Sequence, residues 1–149
     1  MTESMIQDIK TSWEYVSDEG GANMMVFYDK LFKTAPEARK LFPKDISKQS
    51  EKLAYTVGFV VANIDRIGDI KGSVEDLGRI HNKMNIDPGY YPVVRDCLIE
   101  TIRDKMGADY RQDIGDAWRA ALDFLSEVMI NAPEKRENRL KTLLGKLFH

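Results

Sequence analysis

Apolar residues recur every three or four positions along almost the whole chain, and the strict alternation that marks a half-buried strand is nearly absent. That period predicts an all-helical protein. Ile6, Ile9, Trp13 and Val16 form the first stripe, and the Gly20-Gly21 pair after it is expected to end that helix, because glycine tolerates a left-handed cap. A second helix is expected to carry Met25, Tyr28, Leu31 and Phe32 and to stop before Pro36, which suits the first turn of a short third helix ending near Phe42 and Pro43. Asp45 and Ser47 offer caps for a longer helix from about Ile46 to Ile67, with Leu53, Val57, Val60, Val61 and Ile64 inward and Gly68 closing it.

The run Ser73-Val-Glu-Asp76 resembles a capping box with Asp in place of Glu, and it is expected to open a helix with Val74, Leu77, His81 and Met84 on one face. Asp87-Pro88 reads as a cap followed by a proline at the first helical position, before a helix that presents Tyr91, Val94, Leu98 and Ile102 and stops at Gly107. A further helix begins near Asp113, buries Ile114, Trp118, Ala121, Leu125 and Met129, and ends at Pro133. The segment from Glu134 to His149 sets Leu140, Leu143, Leu144 and Leu147 among basic residues and is compatible with a short terminal helix that packs back on the body. No internal repeat is visible. The reading is therefore one folded unit, with residues 1–133 as its body and 134–149 as a basic amphipathic extension of it.

Composition narrows the function. With 149 residues, 43% hydrophobic and 31% charged, the chain can bury one core and has no room for a second catalytic domain. Its 22 Lys and Arg against 24 Asp and Glu give a net charge of −2, which provides no electrostatic basis for nucleic-acid binding. The single cysteine, Cys97, excludes an internal disulfide and a four-thiolate zinc site and fits a reducing compartment, so a cytoplasmic location is expected. No stretch approaches the ~20 apolar residues of a membrane span, and the N-terminus does not read as an export signal. A monomer or weak homodimer is expected.

Histidine is scarce: besides His149 at the terminus there is only His81, and it falls on the apolar stripe of its helix. Spacing alone leaves two explanations for it. One is a core histidine hydrogen-bonded to a backbone carbonyl. The other is an axial ligand to haem iron, with a neutral imidazole giving a lone pair from one nitrogen while the other is anchored. A haem also needs a flat apolar slot, an aromatic wedge and, for dioxygen, hydrogen-bond donors on the opposite face.

Four segments taken in order bear on that choice: Phe27 to Pro43 (FYDKLFKTAPEARKLFP), Lys48 to Leu53 (KQSEKL), Leu77 to Val94 (LGRIHNKMNIDPGYYPVV) and Asp116 to Leu125 (DAWRAALDFL). Together they resemble the bacterial single-domain haemoglobins, relatives of the haem domain of flavohaemoglobins. The resemblance implies a globin fold, a three-over-three helical sandwich with a short C-terminal helical extension, and haem b (iron protoporphyrin IX) held without covalent attachment. It makes His81 the proximal iron ligand, Phe42 the wedge on the haem, Tyr28 the distal tyrosine and Gln49 the distal glutamine, with Leu53 closing the distal pocket. The Gln49 position rests on the register of the Gln-Ser-Glu-Lys-Leu run, and a slip of one residue would put Lys48 or Ser50 there. Lys52 is the candidate for a haem propionate, and Leu77, Ile86 and Val94 complete the expected haem contacts. Tyr91 matches a tyrosine that in flavohaemoglobins hydrogen-bonds toward the proximal ligand and a glutamate. This chain departs from that pattern, because Ala132-Pro133-Glu134 interrupts the segment where the glutamate is expected.

From the residues alone, Tyr28 reads as a core tyrosine and Gln49 as a solvated helix residue. Cys97 reads as a small buried thiol and Trp118 as core. What the resemblance implies is reversible binding of dioxygen, nitric oxide and carbon monoxide. Conversion of nitric oxide to nitrate would need a separate reductase, since the chain has no nucleotide- or flavin-binding segment. The alternatives are a gas sensor that signals through a partner, by a shift of the Gly68 to Met84 segment, and a haem-free globin-like interaction module.

Overall fold

The computed structural model describes residues 1–17 and 21–133. The expectations for Gly20 and for the segment from Glu134 to His149 fall outside the described residues. Among the described residues six α-helices follow one another: α1 (Glu3–Glu14), α2 (Ala22–Thr34), α3 (Ser47–Ala62), α4 (Lys71–Lys83), α5 (Tyr90–Met106) and α6 (Gln112–Ile130). Short 3₁₀ turns join them at Pro36–Leu41, Ile64–Ile70 and Gly107–Asp109. The described residues contain no strand, and the all-α reading holds.

Each boundary has a local cause. Thr2 caps α1 through its side chain, which accepts the Met5 N–H. Gly21 does adopt the left-handed conformation, at φ 69°, but as the cap that starts α2 rather than the stop of α1, which ends at Glu14. It also lies against α3 so closely that a Cβ there would fall within 2.8 Å of the Ser50 and Glu51 backbone, so glycine is required twice over. The inward stripe of α2 is Met24, Phe27, Tyr28 and Leu31, while Met25 is exposed, one position off the expected register.

The long helix expected from Ile46 to Ile67 is broken. It stops at Ala62, and the 3₁₀ turn that follows has a non-helical residue at Arg66. Asp45 does accept from the Ser47 N–H and hydroxyl, but as a turn ahead of α3 rather than a helix cap. Ser73 lies inside α4 and caps nothing: the 3₁₀ turn runs straight into the helix, and the Lys71 N–H already bonds to the Gly68 carbonyl. Met84 is exposed just past the end of α4 and does not share the inward face. Asp87 accepts from the Gly89 N–H, so α5 starts at Tyr90, later than Pro88. Gly107 ends α5 in the left-handed half of φ, at 58°, as expected.

Helix α6 is the spine, packing on α1, α4 and α5, while α2 packs on α3 and α5. At the centre Trp118 is 2% exposed, its ring tilted against Trp13 with centroids 6.2 Å apart. Its indole N–H donates to Ser12 Oγ at 2.8 Å, and that hydroxyl donates onward to the Asp8 carbonyl at 2.6 Å. A polar pair thus ties α1 to α6 inside the core with both members satisfied. No described helix is long and apolar enough to cross a membrane.

Replacing Ser12 by Ala strands the Trp118 N–H and is expected to lower stability by about 1–3 kcal/mol. In a double-mutant cycle with Trp118→Phe, read by urea unfolding, the two changes should cost less together than their sum.

Candidate functional site

The main helices do not close on one another everywhere. Between α3 and the α4–α5 pair they leave an apolar cavity of about 460 Å³, a size that suits a bound organic group. One wall is Leu53, Val57 and Val60 of α3; the other is Leu77 and His81 of α4, Ile86 of the following turn, and Tyr91, Val94 and Leu98 of α5. Of the expected haem contacts, Leu53, Leu77, His81, Ile86, Tyr91 and Val94 therefore meet in one place.

His81 is the one imidazole on that wall. Burial pushes its pKa below the usual histidine value, which favours the neutral ring whose lone pair is free to bind a metal. The Leu77 carbonyl one turn earlier acts weakly in the opposite direction. It does not reach hydrogen-bond geometry with Nδ1, which is buried without a partner. The Tyr91 ring stands edge-on to the imidazole, centroids 6.0 Å apart, and its hydroxyl is likewise buried with no partner. The departure noted in the sequence thus has a structural counterpart: among the described residues no carboxylate completes a chain to Tyr91 and His81. Past His81 the chain turns sharply. Asn85 takes φ 56°, and the Ile86 N–H returns to the His81 carbonyl at 3.1 Å, fixing the end of the turn that carries the imidazole.

Tyr28 and Gln49 are brought together. The Gln49 carboxamide lies close enough to the Tyr28 hydroxyl to pull its pKa down, an effect outweighed by burial, which raises the phenol above its ordinary pKa. Tyr28 is 3% exposed and packs edge-on against Phe42 at 5.4 Å and tilted against Phe32 at 5.9 Å. Phe42 in turn meets Phe32 at 5.6 Å, with the Arg39 guanidinium over the Phe32 ring. Tyr28, Gln49 and Phe42 do not themselves line the cavity. Leu53, one turn after Gln49 on α3, does, and it links this cluster to the slot. Lys52 is exposed on α3 and takes no part in the wall.

Sequence reasoning passed over several wall residues. Thr56, Phe59 and Ile80 lie on the cavity, and Phe59 and Ile80 are partly open to solvent. Helical spacing could have signalled them, since Thr56 and Val60 follow Leu53 on one face and Ile80 follows Leu77. Gly78 was missed as well. It allows α4 to lie directly on α6, where a Cβ would fall 2.7 Å from Met129 Cα.

The residues present fit a flat apolar macrocycle with a metal at its centre: a slot between two helical walls, a neutral imidazole on one wall, and a phenol–carboxamide pair joined to the other. Comparison agrees with the geometry. The family model described as Globin matches residues 26–129, and the chain belongs to the globin family. It is therefore a haem protein by family. It is 27% identical over 135 residues to an uncharacterised globin-like protein of Aquifex aeolicus, covering 91% of this chain and 96% of that one. It is 31% identical over 128 residues to the flavohaemoprotein of Bacillus subtilis, covering 84% of this chain but only 32% of the relative. The chain thus spans about a third of the length of that longer protein. An engineered carbene transferase from Rhodothermus marinus, built on a proposed nitric oxide dioxygenase, has the same fold: TM-score 0.75, 23% identity, 97% of this chain and 99% of the other covered.

Two outcomes follow for the haem-free protein. Because folding raises the Tyr28 pKa, the neutral phenol's contribution to stability is complete below the unfolded value of ~10 and is lost as pH rises past it. Tyr28→Phe should flatten the alkaline loss of stability seen by thermal melting between pH 9 and 11, values bracketing that ~10. Burial also raises the Cys97 pKa. Its thiol should ignore a disulfide reagent at neutral pH until the chain is unfolded.

Proposed function

We propose that this protein is a haem b globin that binds dioxygen and other diatomic gases, and that it oxidises nitric oxide to nitrate when a separate reductase supplies electrons. The observation that carries this reading is the half-buried His81 imidazole on the wall of an apolar slot, its Nδ1 buried and its pKa lowered by burial. Haem, when bound, supplies an iron with a position open to a diatomic gas. The chain supplies the rest. His81 offers a lone pair. Leu53, Val57, Leu77, Ile86 and Val94 exclude water from the slot. Tyr28 and Gln49 are the donors for a ligand that carries partial negative charge, and in an apolar surrounding their hydrogen bonds are stronger than in water. The Tyr28 phenol is a proton donor at physiological pH, and burial raises its pKa further.

The reaction consumes one nitric oxide, one dioxygen and one electron per nitrate. That electron requires a partner with a flavin or similar carrier, and the flavohaemoproteins, about three times as long as the matched region, motivate the choice of a reductase. Lys52, exposed on α3, remains the candidate for a propionate. A cytoplasmic location agrees with a free buried thiol.

Stopped-flow release of dioxygen from the reduced, haem-loaded protein tests the distal assignment. Tyr28→Phe or Gln49→Leu should each speed release by about three- to tenfold, the worth of one net hydrogen bond; unchanged rates in both would remove these residues from the site. Aerobic nitric oxide supplied with a generic reductase should yield nitrate. Its absence would leave gas binding without turnover.

A further inference from the structure

The helix that carries His81 is fastened to α6 by a device that the haem contacts do not explain. Val74 and Gly78 are the buried residues of α4, and they face α6, where Val74 packs with Leu125, Leu122 and Met129. At Gly78 the two backbones touch, with no room for even a methyl group before Met129 Cα at 2.7 Å. The next residue, Arg79, has its side chain only 19% exposed. Its Nη1 donates to the Pro133 carbonyl at 2.9 Å, just past the end of α6, while Nη2 pairs with Asp76 on the preceding turn of α4. Arg79 Nε is buried with no partner, a cost that an arginine free to swing into water would not carry. Met129 contacts α4 and also lines the cavity, and so does Asp76. The anchor and the slot therefore share walls.

We propose that Gly78 and Arg79 are positioning residues that set the depth at which His81 stands in the slot, Gly78 by fixing the spacing between α4 and α6 and Arg79 by fixing the axial register of α4 against Pro133. This rests on His81 being the iron ligand. A Cβ at position 78 presses α4 off α6, and the imidazole, three residues on and near the same face, moves with the helix. Losing the guanidinium frees α4 to slide along α6. Lysine keeps a cation but has no planar fork to span Pro133 and Asp76 at once, so it restores the register only in part.

The test is resonance Raman spectroscopy of the reduced, ligand-free, haem-loaded protein, which reads the iron–histidine stretching band directly. It is paired with amide hydrogen exchange of α4 in the haem-free protein. Gly78→Ala and Arg79→Met should shift or broaden the band and speed exchange in α4, Arg79→Lys should lie between Arg79→Met and the wild type, and Lys83→Ala, exposed on the same helix, should match the wild type. Arg79→Met lies at the edge of the interface and keeps the test open where Gly78→Ala fails to fold. A wild-type band that stays unmoved in folded variants, with only their melting temperatures lowered, would overturn the positioning role and leave a plain structural one. A wild-type protein with no such band would contradict the His81 assignment itself, and the proposal with it.

Discussion

A neutral imidazole held in an apolar slot is the constraint on which the rest of this structure turns. The helices leave an apolar cavity between α3 and α5, with a single imidazole on its wall. Close-packed interiors do not keep such spaces cheaply. A flat apolar group that fills the slot and takes the lone pair turns that cost into binding energy. Stability and cofactor affinity are then two readings of one free energy.

The two sides of the slot are built in different ways. Beside one side Tyr28, with Gln49 close to its hydroxyl, is wedged by Phe42 and Phe32, so the phenol is oriented by aromatic packing. On the other, His81 is oriented by its helix: by the crossing at Gly78, the tether at Arg79 and the turn at Asn85. The orphaned Tyr91 hydroxyl and His81 Nδ1 separate this site from one in which a carboxylate makes the imidazole electron-rich.

Much of this was legible in the chain. The amphipathic period, a one-dimensional signal, made the all-helical class legible, and the resemblance carried by four short segments implied the globin fold. Boundaries were less legible where neighbouring turns took over the work of caps. Ser73 lost its role to the 3₁₀ turn at Ile64–Ile70, and Met25 yielded to Met24 because Gly21 set the phase of α2. The α4–α6 crossing was invisible, since a glycine inside a helix carries no sign of the backbone it lies against. That Tyr28, Gln49 and Phe42 form a cluster beside the cavity wall, instead of part of it, follows from packing between residues distant in sequence. No local pattern reports that.

The central claim is that His81 stands in the slot to bind haem iron. Titrating the haem-free protein with hemin, then reducing it and adding carbon monoxide, measures this directly for the wild type and for His81→Ala. The account predicts a Soret band that saturates at one hemin per chain in the wild type, shifts on reduction and again with carbon monoxide, and is lost or strongly altered in the variant. Identical spectra for the two proteins, or no Soret band in the wild type, would return His81 to the role of a core histidine and contradict the account.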